Sequence, residues 1–229
     1  MKSFSNKIPR REKKDKVITI VSGLPRSGTS MMMQMLEAGG ITIVTDNIRK
    51  ADDDNPRGYY EFEKVKKIEE DSSWLKDCQG KAFKMVSELL HHLPEDKRYK
   101  VIFMRREMKE MLASQGLMLQ KLGGEDAKVG DEEMAGRFEK HLRRVESWLA
   151  RQPNIDVLYV KYNDIIQEPL RYAQSVNRLL GGWLNEERMA QMVERSLYRQ
   201  RMQSALQGKD YSEDEEEDIR EQLEDLGYL

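Results

Sequence analysis

A β-branched run that breaks into a glycine-bounded turn and then into strong helix formers leaves a chain few folds to choose from. Residues 17–38 are built that way. Val17-Ile-Thr-Ile-Val21 has the composition of a buried parallel strand. Ser22 to Gly28 reads as a turn, and Thr29 to Ala38 reads as a helix. Strand, loop and helix in that order make an anion cradle. The N–H groups of the loop converge, and the helix N-terminus adds the positive end of its dipole.

The rest of the chain repeats the alternation of strand and helix. Gly39-Gly40 ends the first helix, and Ile41 to Thr45 reads as a second strand with Asp46 just beyond its edge. A polar connector, Asp52 to Glu61, turns at Pro56 and Gly58 and leads into a helical pattern from Glu61 to Asp71. Lys81 to Val86 reads as a third strand, followed by a short helix from Glu88 to Leu93 that ends at Pro94. Val101 to Met104 is a further strand, with a helix from Lys109 to Leu122 after it and a glycine-rich loop through Gly130. Phe138, Leu142, Val145 and Leu149 recur at helical spacing, so an amphipathic helix is predicted over 132–151. Val157 to Val160 is a last buried strand. Helices from Pro169 to Leu180 and over 185–195 complete the series. The pattern predicts an α/β three-layer sandwich, a central parallel sheet with helices on both faces.

A length of 229 residues suits one domain over 16–201. A basic arm over 1–15 and an acidic tail over 202–229 flank it. The formal charge of −2 argues against a general nucleic-acid binder. Cys78 is the only cysteine, which excludes an intramolecular disulfide and fits a reducing compartment. The N-terminus lacks the apolar core of a signal peptide, and no run approaches the roughly 20 apolar residues of a membrane span. The chain is therefore expected to be cytoplasmic. His91, His92 and His141 read as structural or solvated, and the methionines of the first helix read as core.

Gly23 and Gly28 bracket four residues, as in a Walker A loop, but Thr29 stands where that motif has lysine and the cation has moved into the loop as Arg26. Pro25-Arg26-Ser27-Gly28-Thr29-Ser30 resembles the 5′-phosphosulfate loop of sulfotransferases that use 3′-phosphoadenosine 5′-phosphosulfate (PAPS). A second signature follows about eighty residues on, where Arg106 and Ser114 lie eight apart across a strand edge and the next helix. In those enzymes such a pair binds the 3′-phosphate, and a guanidinium fork with a hydroxyl can share the oxygens of one phosphate dianion. Glu107-Met108 replaces the family's usual Asp or Asn and Pro, and the doubled arginine leaves Arg105 as an alternative to Arg106. Tyr162-Asn-Asp164 is similar to the family segment in which a tyrosine approaches the adenine. Arg199 and Arg201 fall where relatives place further basic contacts, although the family's Arg-Lys-Gly signature is absent.

The resemblance covers residues 16–201 and is to compact bacterial-type sulfotransferases. It implies a P-loop-like nucleotide-binding fold and PAPS as donor co-substrate. It further implies an unspecified hydroxyl or amine acceptor, no metal requirement, and a homodimer as one assembly open to the chain. Arg26 would act electrostatically, because a guanidinium is too basic to donate a proton to the leaving group. Two carboxylates resemble the family's base positions: Glu61, at the end of Asn55-Pro-Arg-Gly-Tyr-Tyr-Glu61, and Asp46. A P-loop kinase or NTPase with a degenerate phosphate loop and a non-catalytic nucleotide-binding protein of this fold remain the alternatives.

Overall fold

The computed structural model describes residues 17–46, 60–108, 110 and 131–193. The basic arm, the acidic tail, the connector over 52–59, the segment over 111–130 and the chain after Val193 lie outside the described residues.

Five strands form one parallel sheet: β1 (Val17–Gly23), β2 (Thr42–Ile43), β3 (Lys81–Val86), β4 (Arg98–Arg105) and β5 (Ile155–Lys161), in the order β2-β3-β1-β4-β5. Their side chains alternate between two apolar layers, the signature of strands covered on both sides. Ile18, Ile20, Phe83, Met85, Val101 and Phe103 enter one layer, with Val145 and Leu149 of helix α2 (Asp131–Leu149). Val21, Ala82, Ile102, Met104 and Val160 enter the other. There they meet helices α1 (Thr29–Gly39), α4 (Pro169–Leu180) and α5 (Glu186–Gln191). The expected three-layer α/β sandwich is what the chain forms.

Several expected elements differ. The expected helix over Glu61 to Asp71 is a 3₁₀ turn, Glu63–Lys67. Val65 and Ile68 are its buried contacts, and a spacing of three suits the three-residue repeat of that tighter helix. The expected helix after β3 is likewise 3₁₀, Ser87–His92. The second strand contracts to Thr42–Ile43. Val44 N–H still donates to Ala82 O at 2.8 Å, after which the chain leaves β3, and Asp46 N–H donates to Glu61 O at 3.2 Å. A helix α3 (Tyr162–Gln167), for which the sequence offered no separate pattern, joins β5 to α4.

The topology fixes where a ligand can sit. β1 and β4 are neighbours, yet the chain leaves β1 toward β2 on one side and leaves β4 toward β5 on the other. At such a switch point the loops part and open a crevice beyond the strand ends. Gly23 is paired with Val86 on one side and Met104 on the other, so β3, β1 and β4 finish level at that edge.

Candidate functional site

The loop between β1 and α1 is shaped by tight approaches. A Cβ on Gly23 would lie 2.6 Å from Met104 O, and one on Gly28, where φ is +98°, would lie 2.3 Å from Tyr162 Cδ2. Arg26 adopts φ +61°, a left-handed conformation that a non-glycine residue holds only under constraint. Ser27 N–H donates to Leu24 O at 3.2 Å and closes the turn. The Ser27 side chain is 1% exposed, and its Oγ has no hydrogen-bond partner among the described residues. No side chain caps α1, and its first turn contains no acidic residue. Uncapped N–H groups at a helix start, with no carboxylate competing for them, suit an anion. Pro25, Arg26, Gly28, Thr29 and Ser30 are all half-buried.

The structure brings the second signature into contact with this loop. Arg106 Nη1 donates to Arg26 O at 3.2 Å, and Arg106 Nε donates to Glu110 Oε2 at 3.0 Å. Its guanidinium lies 4.7 Å from the ring centroid of Tyr162. Tyr162, the candidate adenine contact, is 4% exposed and packs between Gly28 and Arg106. Glu110 also accepts from Asn163 Nδ2 at 2.9 Å, so the start of α3 is tied to the segment after β4. Arg105 turns the other way. It lies 4.8 Å from the Tyr159 ring centroid and is ion-paired through Nη2 with Glu146 of α2. Leu24, Ser27, Met104, Arg105, Arg106 and α2 enclose a cavity of about 230 Å³ here.

The two candidate bases sit on adjoining segments. Asp46 Oδ2 accepts the Glu63 N–H at 2.6 Å, so that carboxylate stabilises the start of a 3₁₀ turn. Lys84 of β3 donates to Glu61 Oε1 at 3.1 Å, and the two side chains are each 16% exposed. Tyr60, at φ +58°, is anchored by its hydroxyl to Glu37 Oε2 of α1 at 2.6 Å, which brings the Glu61 segment against the first helix. Ser114, Arg199 and Arg201 lie outside the described residues.

Two participants escaped the sequence reading: Lys84, a lysine inside an apolar strand, and Glu110, one helical turn beyond Arg106. His141, expected to be structural or solvated, is buried. Among the described residues no group of three or more His, Cys, Asp or Glu is placed to hold a metal ion. No described helix is long and apolar enough to cross a membrane.

A parallel α/β sheet with a glycine-bounded loop running into a helix N-terminus at its switch crevice is an arrangement with which proteins bind phosphate groups. The chain belongs to the sulfotransferase domain family, whose model matches residues 16–224, and it is accordingly an enzyme of sulfuryl transfer. Among curated proteins none matches it. Solved structures similar to it include the following two. Mouse sulfotransferase SULT7A1 complexed with PAP has 18% identity and a TM-score of 0.49, over 87% of this chain and 68% of that one. Retinol dehydratase in complex with androsterone and inactive cofactor PAP has 14% identity and a TM-score of 0.42, over 91% and 80%.

Proposed function

We propose that this sulfotransferase takes its sulfuryl group from PAPS and passes it to an acceptor hydroxyl or amine, with adenosine 3′,5′-bisphosphate (PAP) as the other product. The observation that carries the reading is the hydrogen bond from Arg106 to the Arg26 carbonyl. It sets the anion loop after β1 and the guanidinium after β4 side by side in one crevice. The residues present fit such a donor: a loop with close backbone approach at Gly23 and Gly28, and an orphaned buried hydroxyl at Ser27.

PAPS supplies an activated sulfuryl group on a phosphate leaving group. The loop and α1 N–H groups hold the leaving phosphate, and Arg26 offsets the negative charge that grows there. Arg106, from its place against the loop, is assigned to the nucleotide's other phosphate, with Arg105 serving α2 instead. Tyr162 supports the loop from beneath. Glu61 is assigned as the base that takes the acceptor's proton, with Lys84 holding its carboxylate in place; Asp46 is assigned to stabilising the turn at Glu63. Acceptor attack and proton removal then need only positioning and fixed charge.

The test is a titration with PAP, compared with Mg-ATP, followed by a PAPS-dependent transfer screen over hydroxyl and amine acceptors. PAP is expected to bind without magnesium. Arg106→Ala is expected to weaken PAP by about ten- to a hundredfold, the equivalent of roughly 1.5–3 kcal/mol for hydrogen bonds to a charged group. Arg105→Ala is expected to change it far less. Binding of Mg-ATP alone would overturn the reading.

A further inference from the structure

Outside the anion loop one buried polar chain has no part in the proposed transfer. Ser87, the first residue after β3, is 1% exposed, and His141 of α2 is 7% exposed. Ser87 Oγ and His141 Nε2 are 2.8 Å apart, and His141 Nδ1 lies 2.7 Å from Glu88 Oε2. A carboxylate oxygen accepts from Nδ1–H, and in the uncharged ring Nε2 then takes the Ser87 hydroxyl. Serine, imidazole and carboxylate in this order resemble an activated nucleophile, but a serine so thoroughly covered does not reach a substrate. Its partners point to another role.

α2 forms one wall of the cavity, through Glu139, Leu142, Arg143 and Glu146. Phe138 and Met134 of the same helix pack on Leu24 of the anion loop. Apolar packing of that kind fixes burial but leaves the helix free to slide or turn by small amounts. A directional bond is needed to set its register. Ser87 follows Val86, which is paired with Gly23, so the end of β3 is anchored beside the loop. We propose that the Ser87–His141–Glu88 chain is a positioning device for the transfer site, which fixes α2 against the strand edge with the imidazole uncharged.

The proton count makes this positioning pH-sensitive. A protonated His141 would direct Nε2–H at Ser87 Oγ and leave the Ser87 hydroxyl proton without its acceptor in a buried place. Among the described residues the charged or titratable groups around the imidazole are Glu88 and His91 from the 3₁₀ turn and Arg144 from α2 itself. Burial lowers the His141 pKa from its ordinary 6.5, and Glu88 opposes this while His91 and Arg144 add to it. With the folded value below the unfolded one, the contribution is complete above about pH 6.5 and is lost as pH falls from there through the folded value. The link from α2 to nucleotide binding rests on the reading proposed above; the link from the chain to α2 does not.

The experiment compares the full-length protein with Ser87→Ala, His141→Ala and His141→Gln by hydrogen exchange of amides 134–149, and by PAP titration. Glutamine can accept from Ser87 and donate to Glu88 but cannot titrate. Near neutral pH the alanine variants are expected to exchange about tenfold faster over that segment. Their PAP dissociation constants should rise about tenfold, and His141→Gln should restore both. Between about pH 8 and about pH 5.5, wild type is expected to lose stability and His141→Gln to lose less. Unchanged exchange in Ser87→Ala, or a glutamine variant as loose as alanine, overturns the positioning device. Faster exchange with unchanged PAP affinity overturns its role at the site. Wild-type protein that does not bind PAP refutes the nucleotide reading, and the exchange data then decide the helix contact by themselves.

Discussion

At Gly28 a methyl group would lie 2.3 Å from Tyr162 Cδ2, on a backbone whose φ of +98° already favours glycine. Gly28→Ala is therefore expected to lose about 2 kcal/mol or more of stability, from left-handed strain and overpacking together. For a chain of this size that lowers the melting temperature by roughly 4–8 °C. Calorimetry checks it, and a partial recovery in a Gly28→Ala, Tyr162→Leu double variant would assign the loss to the ring. The two carboxylates divide in a similar test. Asp46→Ala removes the acceptor of the Glu63 N–H and is expected to cost about 1 kcal/mol, as loss of a helix cap does. Glu61→Gln is expected to lower kcat by roughly a hundredfold or more while leaving the fold intact. A full-rate Glu61→Gln enzyme would remove Glu61 from the role of base.

Among the elements, β1 and α1 were legible because their pattern is local: an apolar run, a glycine turn, then helix formers. The 3₁₀ turns were not. Val65 and Ile68, three apart and both buried in the core, fit an α-helix and a 3₁₀ turn alike. The same division holds at the site. Arg26 and Arg106 belong to motifs readable in a line, but Ser87 and His141 meet only because α2 folds back over the end of β3. Burial also protects the one thiol. Cys78 lies in the 3₁₀ turn Ser73–Cys78, and burial pushes its pKa up to about 11. Thiolate, the reactive form, is then scarce near neutral pH. Alkylation is expected to follow unfolding; a modification rate independent of denaturant would contradict this placement of Cys78.

For the molecule as a whole, a ligand that binds only the folded state must raise its stability. At a hundred times its dissociation constant PAP is expected to add about 2.7 kcal/mol, seen as a higher melting temperature whether or not magnesium is present. The sheet that carries the loop has another consequence. Every pairing in it is parallel, so no strand joins its neighbour through a hairpin: Gly23 finds Met104, and Tyr99 finds Ile155, only after long stretches of chain have closed. Topology of this sort taxes assembly with loop-closure entropy before contacts reward it, which slows the search for the native state. Because β1 pairs with both β3 and β4, the strand end that carries the loop has both its neighbours in place only when both long closures are complete.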